Sequence, residues 1–130
     1  MIIADTSVWI DFFRGIDAPH TKRFESVLGT DELYIGDLII AELLQGATSE
    51  KAVTQIQEIL RRLECVNMVN ETIAYKSASN YRYLRSNGKT VRKTIDMLIG
   101  TFCIENDVYL IHNDRDFDPI ESLLGLKVLK

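Results

Sequence analysis

Acidic residues at four separate points of the chain are the side chains best suited to chemistry. Asp5 directly follows a short apolar segment, and Glu42 is the only charge in the stretch LIIAELL. Asp96 lies near the start of a later apolar helix pattern, and Asp114 and Asp116 follow the last strongly apolar run. Carboxylates that converge repel one another unless a cation compensates their charge. If the fold brings these acids together, the chemistry to expect is that of a metal ion.

Each acid also has a purely structural explanation. Asp96 in a first helical turn would complement the helix dipole, and Glu42 on the flank of its helix could face water. Asp116 could serve only the geometry of a turn. Asp5, placed after four apolar residues, suits a solvated sheet edge as well as a functional site. Considered one at a time, the acids leave both explanations open.

The ligand types favour a hard cation. A set of carboxylate oxygens without a cysteine or histidine cluster is typical of magnesium or manganese, not of zinc. His20 and His112 have no partner at ligand spacing, so we expect them to be surface or hydrogen-bonded side chains. Magnesium held by a few carboxylates keeps several waters, which leaves room for a phosphate oxygen and an attacking water. Phosphodiester hydrolysis is the reaction class that this chemistry predicts.

Short apolar runs alternate with longer helical patterns, which predicts an α/β domain. The predicted strands cover 1–4, 33–36, 65–69, 108–111 and 126–129. The predicted helices cover about 6–14, 19–28, 37–45, 49–63, 70–87 and 94–105, and most of them end at or just before glycine or asparagine. The expected helix caps are Thr6 or Ser7, Asp37, Thr48 or Ser49, Asn70 and Thr94.

Parallel strands joined by right-handed crossovers carry their C-terminal ends to one edge of the sheet, where open α/β folds bind ligands. Asp5 follows the first predicted strand, and Asp114 comes three residues after the strand at 108–111. These two carboxylates are therefore expected to meet. Asp96, at the second position of its predicted helix, and Glu42 reach the same edge if their helices start beside it.

Size and composition predict one domain covering 1–130, because 130 residues with 46% hydrophobic content can bury one core but not two. The apolar N-terminus is expected to be a strand and a helix and not a signal peptide. Cys65 and Cys103 lie in apolar or helical contexts, so we expect buried thiols in a reducing compartment, the cytoplasm.

The net charge of −4 argues against a protein that binds nucleic acid through its overall charge. Residues 82–93 are nevertheless locally basic and contain no acid. Long basic side chains that only solvate a helix end explain this stretch as well as a nucleic acid contact does. The basic residues concerned are Arg82, Arg85, Lys89, Arg92 and Lys93.

Four segments in order along the chain carry a family resemblance: IADTSVWIDFFRG, IIAELLQGA, GKTVRKTIDMLIGTFCIEND and LIHNDRDFDPI. With them the chain resembles PIN-domain nucleases, and among these the VapC-type toxins of bacterial and archaeal toxin–antitoxin pairs. The likeness covers nearly the whole length. It implies a PIN-like three-layer α/β sandwich with a mainly parallel central sheet flanked by helices.

The resemblance also implies which residues form the site. Asp5, Glu42, Asp96 and Asp114 would form an acidic catalytic cluster. Within it, Asp5, Asp96 and Asp114 would bind the metal, and Asp116 is a further candidate that assists or steadies its loop. Two hydroxyl residues beside the first acid, Thr6 and Ser7, would orient a carboxylate or a phosphate by hydrogen bonds.

The function that the resemblance implies is endonucleolytic cleavage of RNA with Mg²⁺, or Mn²⁺, as cofactor. The basic residues of 82–93 would then contact the RNA backbone. A homodimer and a cognate antitoxin that inserts a segment into the active-site groove are the implied partners. Two alternatives are a receiver-like phospho-acceptor domain and a catalytically silent interaction domain. The segment LIHNDRDF lacks the lysine that a receiver needs after a late strand, and the intact acids argue against a silent domain.

Overall fold

The computed structural model describes residues 1–130, and its elements alternate between strand and helix along the chain. The four strands are β1 (Ile2–Ala4), β2 (Leu33–Gly36), β3 (Glu64–Val66) and β4 (Tyr109–Ile111). The seven helices are α1 (Thr6–Phe13), α2 (Pro19–Val27), α3 (Asp37–Gln45), α4 (Glu50–Leu60), α5 (Glu71–Ser86), α6 (Thr94–Glu105) and α7 (Asp118–Leu124). A 3₁₀ turn, Arg115–Phe117, precedes α7.

The strands form one parallel sheet in the order β3-β2-β1-β4. In its register, Ile3 of β1 lies between Tyr34 of β2 and Leu110 of β4. The strand predicted at 126–129 is reduced to a single parallel bridge between Val128 and Leu110. The sheet therefore has four true strands, with β1 and β2 in its interior.

The order of the strands determines where the helices lie. The chain steps from β1 to β2 to β3 in one direction and then returns across the sheet to β4. Right-handed crossovers therefore place α1 to α4 on one face and α5 and α6 on the other. The contacts agree, because α1 packs on α2 and α3, whereas α5, α6 and α7 pack on one another. The predicted α/β fold with a parallel sheet flanked by helices is confirmed.

The core is built around β1 and β4, the two adjacent strands between which the strand order reverses. Ile3 and Ala4 of β1 and Leu110 and Ile111 of β4 have no exposed surface. On α1, the ring of Trp9 packs edge-on against Phe24 of α2, with the centroids 4.6 Å apart. Because β1 and β4 each end in two fully buried residues, the residues that follow them are held in fixed positions.

The first helix has a different cap from the one expected. Asp5 is the N-cap of α1, with an extended backbone, and its carboxylate accepts a hydrogen bond from the backbone N–H of Ser7. Thr6 and Ser7, the predicted caps, are already helical. A carboxylate is as good a cap as a hydroxyl, so the residue that leaves the strand also starts the helix.

Two other predicted caps are also one residue too late. Gly36 and Lys93 occupy the N-cap positions of α3 and α6, and neither makes a side-chain cap. Asp37 instead accepts from the backbone N–H of Met68 at 3.0 Å, which connects α3 to the segment after β3. Thr94 is the first residue of α6. In both cases the residue before the predicted cap has an extended backbone and is itself the N-cap, so the predicted cap is the first helical residue.

Two predicted caps are confirmed. The Ser49 hydroxyl accepts from the backbone N–H of Ala52 at 3.1 Å, and the Asn70 side chain accepts from that of Ile73 at 2.9 Å. In both cases a polar side chain satisfies an N–H group that has no partner within the helix.

The two cysteines lie in different environments. Cys103 on α6 is buried, which raises the pKa of its thiol to about 12. Cys65 is exposed, so the prediction of a buried thiol was wrong at this position. It lies on β3, the edge strand, where one side of the strand has no neighbour. None of the helices combines the length and the apolar content that a membrane span requires.

Gly36, at the end of β2, touches its neighbour too closely for any side chain. A Cβ there would lie 2.1 Å from Sδ of Met68, which is fully buried. We predict that Gly36→Ala lowers the free energy of unfolding by about 1–3 kcal/mol through overpacking, measured by urea denaturation. Gly46→Ala is the matched control, because its Cβ would meet only ordinary contacts at 3.6 Å. A Gly36→Ala variant as stable as Gly46→Ala would contradict this packing.

Candidate active site

Asp5 lies where β1 passes into α1, so both elements determine its position. The residue is 3% exposed. The Ser7 hydroxyl donates to Oδ2 at 2.7 Å, and the Ser7 backbone N–H donates to the same oxygen at 3.2 Å. The Ser7 hydroxyl in turn accepts from the backbone N–H of Asn113 at 3.2 Å. This chain of hydrogen bonds connects the end of β1 to the loop after β4.

Burial raises the pKa of Asp5 above its ordinary value. The hydrogen bonds from Ser7 act in the opposite direction, because they stabilise the ionised form, while the nearby carboxylate of Asp114 raises the pKa further. Asp5 is thus a buried acid whose charge is only partly compensated by its own hydrogen bonds.

Glu42 reaches the same place from α3, where it is the sixth residue. The Thr6 hydroxyl donates to its Oε1 at 2.8 Å, so the two helices α1 and α3 are joined beside Asp5. The half-buried position raises the pKa of Glu42, the Thr6 hydrogen bond lowers it, and the charge of Asp5 raises it again. Glu42 therefore points toward the other acids and not into bulk water.

Asp96 is the most deeply perturbed of the acids. It is the third residue of α6, where a second position was expected, and it is 2% exposed. Its Oδ2 atom is buried without any hydrogen-bond partner. Burial is the main cause that raises the pKa of Asp96 to about 7, and the charge of Asp5 adds to it. A buried carboxylate oxygen without a donor is costly, so this atom points to a cation.

The last acids come from the loop after β4. Asp114 caps the 3₁₀ turn by accepting from the backbone N–H of Asp116 at 2.9 Å. Asp116 is 8% exposed, and its Oδ1 lies 3.8 Å from Nε of Arg92. One carboxylate oxygen from each of Asp96, Asp114 and Asp116 falls within 4.8 Å of the others. These three acids are close enough to share one ion.

The acids meet in a cavity of about 290 Å³. The structure brings together Asp5, Glu42, Asp96 and Asp114, while Asp116 lies beside the cavity and not among its lining residues. The complete lining is Asp5, Thr6, Ser7, Ile10, Glu42, Gln45, Lys93, Asp96 and Asp114. The site lies at the carboxyl ends of β1 and β4, where the strand order reverses, which is where parallel α/β sheets bind ligands.

The donor set suits a hard divalent ion, since it consists of carboxylate and hydroxyl oxygens and includes one unpartnered carboxylate oxygen.

The two histidines are engaged elsewhere, as expected. His20 pairs with Asp11 at 2.7 Å. His112 packs against the ring of Phe117 and accepts from the backbone N–H of Asp114 through Nδ1. Its burial lowers its pKa.

The basic residues of 82–93 do not form one continuous surface. Arg82 and Arg85 line a separate cavity of about 560 Å³ between α5 and α6, whose other lining residues are mainly apolar. Lys89 is exposed in the loop before α6 and makes no ion pair, while Arg92 approaches Asp116. Lys93 lies inside the acidic cavity.

Three residues of the cavity were not assigned this place from the sequence. Lys93 was predicted only as one of the basic residues of 82–93, and no role was predicted for Gln45 or Ile10. Helical spacing could have indicated all three, because Lys93 precedes Asp96 by three residues and Gln45 follows Glu42 by three. Ile10 follows Thr6 by four. Side chains at these spacings lie on the same helix face as a cluster residue.

The chain is similar to several known proteins over almost its whole length. Residues 2–122 match the family model of the PIN domain. The protein named Ribonuclease VapC11, from Mycobacterium tuberculosis (strain ATCC 25618 / H37Rv), is 30% identical over 130 residues, which cover 98% of this chain and 96% of the relative. VapC ribonuclease Mb1587 from Mycobacterium bovis shows the same identity and coverage.

Solved structures show the same fold at lower identity. The structure of VapBC2 from Rickettsia felis bound to a DNA fragment from their promoter has a TM-score of 0.78 at 17% identity, covering 99% of this chain and 98% of that one. VapBC-1 from nontypeable Haemophilus influenzae has a TM-score of 0.76 at 21% identity, covering 100% and 98%. The fold, the acidic cavity at the β1–β4 edge and the family match agree, and the chain belongs to the PIN domain family, in which the VapC ribonucleases are among its relatives.

Proposed function

We propose that this protein is a metal-dependent endoribonuclease and the toxin of a toxin–antitoxin pair. The observation that carries the proposal is the convergence of Asp5, Glu42, Asp96 and Asp114 on one cavity, with a buried oxygen of Asp96 that has no hydrogen-bond partner. The identity to proteins named as VapC ribonucleases supports RNA as the substrate.

Asp5, Asp96 and Asp114 are the residues that would hold Mg²⁺, or Mn²⁺. All three line the cavity and offer only hard oxygen ligands. When bound, the ion supplies a Lewis acid for a phosphate oxygen and lowers the pKa of water beside it. Asp116, whose carboxylate lies within 4.8 Å of those of Asp96 and Asp114, would assist them, and its backbone N–H donates to Asp114 and steadies the loop.

The hydroxyl residues keep the carboxylates in place. Ser7 fixes one oxygen of Asp5, and Thr6 fixes Oε1 of Glu42. Glu42 is half-buried with a raised pKa, and its Oε2 is left to accept a proton from an attacking water. In this arrangement Glu42 is the general base, and Asp5 is the most rigidly oriented ligand.

RNA binding would rest on local charge, because the chain as a whole is acidic. Contacts to the phosphate backbone position a nucleic acid and require basic side chains near the reacting phosphodiester. Of the proposed contact residues, Lys93 lines the cavity and Arg92 lies beside Asp116, while Arg82, Arg85 and Lys89 would contact the RNA backbone away from the reacting phosphodiester.

The proposed partners are a cognate antitoxin and a second copy of the chain. Support for the antitoxin comes from solved structures of the same fold that are named as VapBC complexes. Residues 1–130 would form one nuclease domain. Both cysteines are unpaired, which supports a reducing compartment, the cytoplasm, as the place of action.

The first test is cleavage of total cellular RNA by the purified protein with Mg²⁺ or Mn²⁺. We predict that Asp5→Asn and Asp96→Asn each lower the cleavage rate at least about 100-fold, because each removes a ligand charge from the cluster. Asp31→Asn, which changes an exposed acid distant from the cavity, is the matched control and should cleave like the parent. Equal cleavage by all four proteins would indicate a contaminating nuclease, and no cleavage by the parent would favour a silent interaction domain.

The second test is the pH dependence of metal binding. The pKa of Asp96 is about 7 instead of 3.8, so the residue is protonated below neutral pH and must lose that proton to bind a cation. We predict that Mn²⁺ affinity, measured by calorimetry between pH 5.5 and 8.5, rises up to about tenfold per pH unit below pH 7 and levels off above it. Equal affinity at pH 5.5 and pH 8 would exclude Asp96 as a ligand with this pKa.

A further inference from the structure

The Lys93 side chain places a positive charge inside the acidic cavity. Its Nζ atom lies 3.4 Å from Oδ2 of Asp114 and 3.9 Å from Oδ2 of Asp96. It is the only basic residue among those that line the cavity. The oxygen of Asp96 that it approaches is the one that has no hydrogen-bond partner.

The start of α6 holds Lys93 in this position. Lys93 is the N-cap residue, and its backbone carbonyl accepts from the N–H groups of Asp96 at 3.2 Å and Met97 at 3.4 Å. The spacing of three residues puts its side chain over Asp96. The side chain itself is 60% exposed, so the ammonium group keeps contact with water. It can leave the two acids by rotation of its own side chain, without any change in the core.

Lys93 and a divalent ion would compete for the same oxygens. Asp96 and Asp114, the acids that Lys93 approaches, are two of the three proposed metal ligands. A single positive charge about 5 Å from a divalent ion weakens its binding roughly five- to tenfold, even in surroundings that screen charge almost as well as water does. An ammonium group among the ligands therefore lowers the affinity of the site, either by repulsion while it stays or because its contacts with Asp114 and Asp96 have to be broken when it leaves.

We propose that Lys93 is an internal counter-cation that a divalent ion displaces. It neutralises Asp96 and Asp114, and its displacement frees the ammonium group for an RNA phosphate at the mouth of the cavity. Lys93 thus sets the metal affinity by acting through the two acids, which makes it a positioning residue. This inference rests on the proposed metal-dependent nuclease function.

The test measures binding of Mn²⁺ alone, without RNA, from the electron paramagnetic resonance signal of the free ion. Lys93→Met should bind Mn²⁺ about five- to tenfold more tightly than the parent, because the competing charge is gone. Lys51→Met is the matched control: it removes the same charge from an exposed residue that makes no ion pair and does not line the cavity, and its affinity should change less than about twofold. Lys93→Arg, which keeps the charge, should restore affinity to near that of the parent.

Equal or weaker Mn²⁺ binding by Lys93→Met would overturn the inference, as would an equal gain in Lys51→Met. Lys93→Gln serves as a second variant, and urea denaturation of both verifies that they fold. Asp96→Asn separates this failure from that of the proposed function. If the parent does not bind Mn²⁺, or if Asp96→Asn binds it as the parent does, the metal site itself is wrong.

Discussion

Repulsion among carboxylates held at the end of β1 is the interaction around which the rest of the site is arranged. Burial removes the water that would screen these charges, and the pKa of Asp96 rises to about 7 as a result. Each neighbour reduces the repulsion by a different means. Ser7 donates two hydrogen bonds to Asp5, Thr6 donates one to Glu42, and Lys93 places a charge next to Asp114. The repulsion that remains is what a bound cation would relieve.

The parallel sheet is what makes such a costly cluster possible. The strands on either side of the point where the strand order reverses, β1 and β4, end in fully buried residues, so the acids that follow them are held close together. Asp5 also caps α1, and Asp114 caps the 3₁₀ turn, which means that the acids complete the backbone hydrogen bonding of their own elements. The stability of the packed sheet compensates for the local repulsion, as is common at functional sites.

Parts of the site could be predicted because they depend on local pattern. An acid directly after a buried strand, as at Asp5, has to appear at the carboxyl edge of a parallel sheet, and the same argument applies to Asp114. The spacing of three residues places Lys93 beside Asp96, but only the structure shows that its side chain turns to the acids and not to solvent. Cys65 was misjudged for a related reason, since only the order of the strands shows that β3 is an edge.

The sequence by itself determined the periodicities of the elements, the positions of the acids at their ends and the resemblance to PIN-domain nucleases, because these depend on residue types at short spacing. Only the tertiary structure decided which helix faces meet. It joined Thr6 to Glu42 across 36 positions of the chain, left one oxygen of Asp96 without a partner and turned Lys93 toward the acids. These contacts depend on how whole elements pack, and burial, unlike periodicity, is a property of the complete fold.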